Sequence, residues 1–266
     1  MAYFFCNYSM PKARIFIGTS GWHYKHWLGT FYPAGTNVKQ QFEYYTNHFD
    51  TVEINNSFYK LPPREVFEGW YKNSPKNFLF VIKANRFITH NLKLLRPKEP
   101  LARLFNSILA LKEKLGPILF QLPPKWKVNA ERLSEFLEVL PKGYDYVFEF
   151  RNETWYCEEV YKLLQDYNCA FCIYELGGHI SPTKITANFI YVRLHGPSEN
   201  KYQGSYSKAG LRKWAKRCLE WQSQKKRVYV YFDNDQEGYA ALNAVTLKAL
   251  VNELKDLNKD PGIKPG

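Results

Sequence analysis

The sequence predicts an α/β protein built as one (β/α)8, TIM-like barrel. Eight short apolar, β-branched or aromatic runs recur along the 266 residues, each is followed by a turn signal, and most of the intervals carry a segment of helical period. No linker, repeat or low-complexity tract divides the chain. Near-regular alternation of strand and helix implies parallel strands with right-handed crossovers, and eight of them suit a closed barrel better than an open sheet.

The first strand is expected over residues 14–18, ending at Thr19, Ser20 and Gly21, with a helix at 37–48. The second lies at 51–55, and a helix at 63–73 leads to the third at 78–83. A helix at 100–114 precedes the fourth, 117–121, and one at 130–140 the fifth, 146–151. After a helix at 157–167 comes the sixth, 170–175, whose connection to the seventh, 189–195, reads as loop. A helix at 207–224 leads to the eighth, 228–233, and a last helix is expected near 238–255. Residues 1–260 then make one domain, and 261–266, with Pro, Gly and Lys, are expected to fray.

Hydrophobic residues make up 45% of the chain, enough for a packed core, which excludes a disordered protein. The opening eight residues lack a basic n-region, and no run approaches the ~18 apolar residues of a membrane span, so the expectation is a soluble, cytoplasmic protein with no membrane partner. Five cysteines, an odd number at irregular spacing, are expected as reduced thiols. Cys169 and Cys172 form a C-x-x-C, but on a strand they point to opposite faces and no second pair completes a metal site. The net charge of +12 is a bias toward phosphates, nucleic acid or small anions.

Strand phase locates a candidate site. In a barrel, residues alternate between the interior and the helix layer, and chemistry gathers at the carboxyl ends of the strands. In 191–195 the apolar Val192 and Leu194 suit the helix layer, which turns Tyr191, Arg193 and His195 inward. In the eighth strand Val230 and Phe232 face out, so Tyr229, Tyr231 and Asp233 face in. The same reading places Glu53 and Asn55, Lys83 and Asn85, Gln121, Glu149 and Arg151, and Glu175 at strand ends, with Asp235 just beyond. Buried charges must pair, stay hydrated or meet a ligand. A structural ion-pair network, Glu149 with Arg151 or Arg193, is one reading of this set; a site with tuned acids and bases is the other.

With those residues in view the chain resembles the YecE-like family, the domain of unknown function 72, over nearly its whole length. The resemblance rests on Gly18-Thr-Ser-Gly-Trp22 with Trp27 and Phe31-Tyr-Pro33, on Glu53-Ile-Asn-Asn-Ser-Phe-Tyr59, and on Leu115-Gly-Pro-Ile-Leu-Phe-Gln-Leu-Pro-Pro124. Phe148-Glu-Phe-Arg151 with Trp155, Tyr191-Val-Arg-Leu-His-Gly196, and Tyr231-Phe-Asp-Asn-Asp235 with Gly238, Ala240 and Asn243 complete it. It implies a TIM-like barrel and brings no established reaction. The family's last motif usually reads Phe-Asn-Asn-Asp, so Asp233 adds a carboxylate where Asn is usual.

The turn at Gly18–Gly21 permits two readings, backbone N–H groups approaching an anion or a structural turn. Trp22 and Trp27 are either a stacking wall or a cap, and Asn55, Asn56, Asn234 and Gln121 supply neutral donors and acceptors. Arg212, Lys213, Lys216 and Arg217, on the helix that precedes the eighth strand, read as a solvated face toward the barrel bottom. The first expectation is therefore an enzyme acting on a phosphate- or carboxylate-bearing substrate. Lys83, Arg151 and Arg193 would hold the anion, with Trp22, Asn55, Gln121 and Asn234 also contacting substrate. Glu149 and His195 would carry protons, joined by Glu53 and Asp233. The alternatives are a single-stranded nucleic-acid-binding or -processing protein, with rings stacking bases, and a metal-dependent hydrolase using Glu53, Glu149, Glu175, Asp233 and His195. No cofactor is required; the interleaved Arg and Lys already supply positive charge and argue against a divalent metal.

Overall fold

The computed structural model describes residues 13–259. Eight parallel strands form the barrel: β1 (Ile15–Thr19), β2 (Thr51–Ile54), β3 (Leu79–Lys83), β4 (Leu115–Gln121), β5 (Tyr146–Glu149), β6 (Ala170–Leu176), β8 (Phe189–Leu194) and β9 (Arg227–Phe232). Their order is β1-β9-β8-β6-β5-β4-β3-β2, and the two-residue β7 (His179–Ile180) pairs antiparallel with the end of β6. Helices α1 (Val38–His48), α3 (Arg64–Asn73), α4 (Lys98–Ile108), α5 (Ala130–Val139), α6 (Glu158–Asp166), α7 (Lys208–Ser223) and α8 (Tyr239–Lys259) fill the intervals. The four-residue α2 (Asn56–Tyr59) follows β2.

The expected elements are present, with local differences. The third expected helix divides into α4 and a 3-10 segment, Leu109–Lys114, within which Lys112 takes a positive φ of 49° just before β4. The crossover from β6 to β8 carries no helix. There the Thr186 hydroxyl accepts from Phe171 N–H (2.8 Å) and donates to Cys169 O (2.7 Å), so a side chain fastens the loop to β6. The expected tail 261–266 lies outside the described residues.

The barrel closes at a narrow seam between β1 and β2. Among the described residues the bridge Ser20↔Glu53, the bond from Gly21 N–H to Glu53 O (2.8 Å) and that from the Ser20 hydroxyl to Glu53 Oε1 (2.5 Å) join the two strand ends directly. The Tyr45 hydroxyl, carried in by α1, accepts from Thr19 N–H and donates to Thr51 O, both at 3.1 Å. It stands where a ladder bond would be. Gly18 fits this seam because a Cβ there would lie 2.5 Å from Thr51 O.

The alternation read from the sequence for the second to eighth strands holds on six of the seven. Phe16, Val81, Leu119, Val147, Tyr191, Tyr229 and Tyr231 cluster inside the barrel, while Val192, Leu194, Val230 and Phe232 pack outward into the helix layer. β6 is the exception. Cys172 and Tyr174 are interior, so Glu175 turns outward and accepts from Trp214 Nε1 of α7 (3.4 Å). Every residue of Ala170–Tyr174 is apolar enough for either face, so size decided. Small Ala170 and Cys172 fit beside Tyr191 in the crowded interior, whereas Phe171 packs against Tyr161 of α6. The expectation that Glu175 joins the interior set is corrected.

Cys157, Cys169, Cys172 and Cys218 are free, and Cys6 lies outside the described residues. Burial pushes the Cys169 and Cys218 thiols up to about 12, which keeps them unreactive at neutral pH. No helix among the described residues is long and apolar enough to cross a membrane.

Candidate functional site

Strand phase brings Glu53, Lys83, Glu149, Arg151, Arg193, His195 and Asp233 to the carboxyl end of one barrel, from β2, β3, β5, β8, β9 and the residues just after them. Arg193 occupies the centre. Its Nε and Nη2 grip Glu53 at 3.0 and 2.7 Å, its Nη1 donates to Glu149 Oε2 at 2.8 Å, and its Nη2 also reaches Asp233 Oδ2 at 3.0 Å. Longer contacts run to Ser20 Oγ and His195 Nε2, both 3.4 Å. A guanidinium has five N–H groups, and each of these has an acceptor.

Glu53 is equally enclosed, receiving Ser20 Oγ at 2.5 Å and Tyr191 OH at 2.6 Å as well as the guanidinium. Glu149 is shared between Arg193 and the Arg151 Nε. Burial alone would raise its carboxyl; Arg151 and Arg193 overcome that and hold it well below the usual carboxylate range. Arg193, Glu53 and Glu149 are all completely buried. Removing one member would leave charges that nothing compensates, which is why such a cluster holds a structure in one arrangement. Arg193, expected as an anion contact, thus has no N–H left for a ligand. The guanidinium also fills the point where the three carboxylates converge, and no group of three His, Cys, Asp or Glu among the described residues is disposed to hold a metal ion.

His195 is caught in the same network. Its Nε2 lies 2.9 Å from Arg151 Nη2 and 3.4 Å from Arg193 Nη1, and a guanidinium can only donate, so Nε2 is the acceptor and the proton sits on Nδ1. Nδ1 lies 3.0 Å from Asp233 Oδ2 without hydrogen-bond alignment. Burial first, then Arg193 and Arg151, hold the imidazole pKa well below its ordinary value, so His195 is neutral. As a proton acceptor it is blocked as long as Arg151 stays on Nε2.

Two cations keep uncommitted N–H groups. Arg151 donates through Nε and Nη2 and lies over the Tyr174 ring at 4.5 Å, while its Nη1 has no partner among the described residues. Lys83 Nζ makes no hydrogen bond or ion pair among the described residues and lies over the Phe58 ring, 4.3 Å from its centroid. Burial and then Arg193 push the ammonium down to about 8. Its main chain is pinned, since Ser57 Oγ donates to Lys83 O at 2.6 Å.

The remaining expected residues divide. Gln121 ends β4 in register with Glu149, and Asn55 follows β2 with its Oδ1 buried and unpartnered. Asn234 faces away from the axis. Its Nδ2 donates to Gly204 O (2.8 Å) and Asn243 Oδ1 (2.9 Å), tying down the 197–205 loop. Trp22 lies in the helix layer against Phe42 and Trp70, so it is no wall over the axis. Trp27 is a cap, its Nε1 donating to Asp235 Oδ1 at 2.6 Å. The turn after β1 offers no N–H to an anion: those of Thr19, Ser20 and Gly21 go to Tyr45 OH, Phe232 O and Glu53 O.

Sequence reasoning missed Ser20, Phe58, Tyr174 and Tyr202 as mouth residues. Tyr202 stands over His195, ring centroids 5.3 Å apart, because its loop folds back on Gly196, where a Cβ would lie 2.2 Å from Gln203 O. Only the φ of 105° at that glycine signals the fold-back, and a single sequence does not show it. Inward phase on β6, had it been read correctly, would have found Tyr174.

The family model "Protein of unknown function DUF72" matches residues 16–265. The UPF0759 protein YunF of Bacillus subtilis is 27% identical over 270 residues, covering 90% of this chain and 95% of that protein. A crystal structure of a DUF72 family protein from Thermotoga maritima aligns with a TM-score of 0.82 at 28% identity, over 90% of this chain and 99% of that one. Another, from Enterococcus faecalis, gives 0.77 at 20% identity over 90% and 95%; it speaks for the fold alone.

Proposed function

The chain belongs to the DUF72 family, and from that premise we propose that its barrel mouth is the active site of an enzyme acting on a phosphate- or carboxylate-bearing substrate. One observation carries the reading. In a mouth whose other charges satisfy one another, Arg151 Nη1 and Lys83 Nζ are donors with no acceptor among the described residues. A ligand oxyanion supplies what they lack, and a charged hydrogen bond formed away from water is among the stronger polar contacts available. Tyr174 beneath Arg151 and Tyr202 above His195 supply ring faces on either side. Asp233 and His195 are the groups nearest to proton transfer, and a ligand that draws Arg151 off Nε2 exposes the histidine's lone pair.

Calorimetric titration with inorganic phosphate, a sugar phosphate, pyruvate and a short single-stranded oligonucleotide tests it. Arg151→Ala is expected to weaken the small anions, and the helix pair Arg212→Ala with Lys216→Ala to leave them unchanged. Loss of oligonucleotide affinity in the helix pair alone, with no small anion bound, would sink the mouth reading and favour nucleic acid on a basic surface.

A further inference from the structure

Lys83 is the chemical oddity of the mouth. A buried ammonium normally finds carbonyl or carboxylate acceptors, yet here three carboxylates sit in the same mouth and all are directed at Arg193 or Arg151. The β3 strand end and the Ser57–Lys83 O bond fix the lysine backbone, and the amine is held against the face of a phenyl ring. His90, whose ring meets that same Phe58 in a T-shaped contact at 5.0 Å, is uncharged at neutral pH: burial, then Lys83 and Arg86, push it down to about 4.

From this arrangement we infer that Lys83 is a covalent nucleophile, whose amine condenses with the aldehyde or ketone carbonyl of an anionic substrate to form a Schiff base. The inference rests on the anion reading above for the substrate's charge, but not for the reactivity of the amine. In the step, the Nζ lone pair forms a bond to the carbonyl carbon while the carbonyl π pair moves to oxygen. The proton lost from nitrogen and one taken up from solvent leave with that oxygen as water, and the C=N bond of the iminium replaces C=O. No oxidant or reductant is involved.

The electrostatics of the mouth favour the product. When Lys83 is neutral, the guanidiniums of Arg151 and Arg193 face the carboxylates of Glu53, Glu149 and Asp233, so the network is one positive charge short. An iminium is a cation at the position of Nζ, and it restores the balance without asking any neighbour to move. The neutral amine is accessible because burial and Arg193 push Lys83 down to about 8, against the opposing pull of Asp233, Glu149 and Glu53. The groups that set its pH dependence are Arg193, Asp233, Glu149 and Glu53, together with His90.

The test is borohydride trapping on the full-length protein. Pyruvate and dihydroxyacetone phosphate are the anionic carbonyls, uncharged dihydroxyacetone is the control, and intact mass with peptide mapping reads the product. Trapping adds the ligand's mass less one oxygen atom. The expected result is a single addition at Lys83, on the order of tenfold faster than at an exposed lysine such as Lys216 near neutral pH, and absent in Lys83→Met. Labelling of Lys83 no faster than of surface lysines overturns the inference, and because the mapping is done on the wild-type chain it does not depend on how the variant folds. Calorimetric binding of the anions without trapping at Lys83 removes the Schiff base and leaves the anion site. Trapping of dihydroxyacetone as fast as its phosphate, unaffected by Arg151→Ala, keeps the Schiff base and removes the anion site.

Discussion

Lys114 and Lys83 are both buried lysines, 5% and 7% exposed, and they are used in opposite ways. Lys114, at the foot of β4, donates to Tyr71 O (2.7 Å), Ser74 O (2.8 Å) and Ser74 Oγ (2.9 Å), filling all three of its N–H positions. Lys83, at the top of β3, has a phenyl ring and open donors. Arg193 repeats the Lys114 solution with carboxylates, its N–H groups taken by Glu53, Glu149 and Asp233. Burial of a cation therefore does not by itself point to a site in this barrel; the proposed site rests on burial without partners.

That contrast can be broken most forcefully at Arg193. Arg193→Leu strands Glu53, Glu149 and Asp233 together, and the expected loss is about 3–5 kcal/mol or outright failure to fold, read by urea unfolding. Arg193→Lys should recover little of it, since a point charge does not replace the two-pronged grip on Glu53. A variant as stable as the parent would show that the network is not structural.

Binding comes next. Arg151→Ala is expected to cost roughly 2–5 kcal/mol in anion affinity, because the lost bond is shielded from water, and the Arg212→Ala, Lys216→Ala pair under about 1 kcal/mol. Arg212 is half-buried and pairs with Glu253 across α7 and α8, so its charge is already answered and screened. Equal losses in the two calorimetric series would mean that net charge, not the mouth, binds the anion.

The two lysines give a smaller and cleaner difference. Lys114→Met leaves two main-chain carbonyls and a hydroxyl without their donor, for an expected loss of roughly 1–3 kcal/mol. Lys83→Met forfeits no hydrogen bond and removes a buried charge, so at pH 7 it should be no less stable than the parent. Chemical denaturation of both, side by side, checks the pair; a Lys83→Met loss as large as that of Lys114→Met would refute the uncommitted role.

The pH dependence of stability sharpens the same comparison. His195 is neutral in the fold and takes a proton on unfolding below its ordinary 6.5, so its contribution is complete above that pH and declines as pH falls. Glu149, held below its ordinary 4.5 by Arg151 and Arg193 against burial, adds a second decline beneath that pH. Lys83 runs at the alkaline end. Its folded pKa of about 8 lies under the ordinary 10.5, the unfolded chain binds more protons between those values, and stability rises with pH across that window. Denaturation midpoints measured through it should show the rise in the parent, reduced in Lys83→Met; an unchanged slope in the variant would assign the effect elsewhere.

The sequence alone determined the strands and, on six of them, which face looks inward, because a period of two allows little freedom once Val192, Leu194, Val230 and Phe232 claim the helix layer. It therefore located Glu53, Glu149, Arg151, Arg193, His195 and Asp233 together at one end. It did not determine β6, where Ala170–Tyr174 suits both faces and side-chain volume against Tyr191 made the choice. Nor did it determine who pairs with whom. Glu53 and Arg193 stand 140 positions apart, and their bond exists only because barrel closure sets β2 and β8 across one axis. Hydrogen bonds are short and directional, so a list of inward residues leaves open which cation the carboxylates take. The tertiary structure gave them to Arg193 and Arg151, and in doing so left Lys83 unpaired.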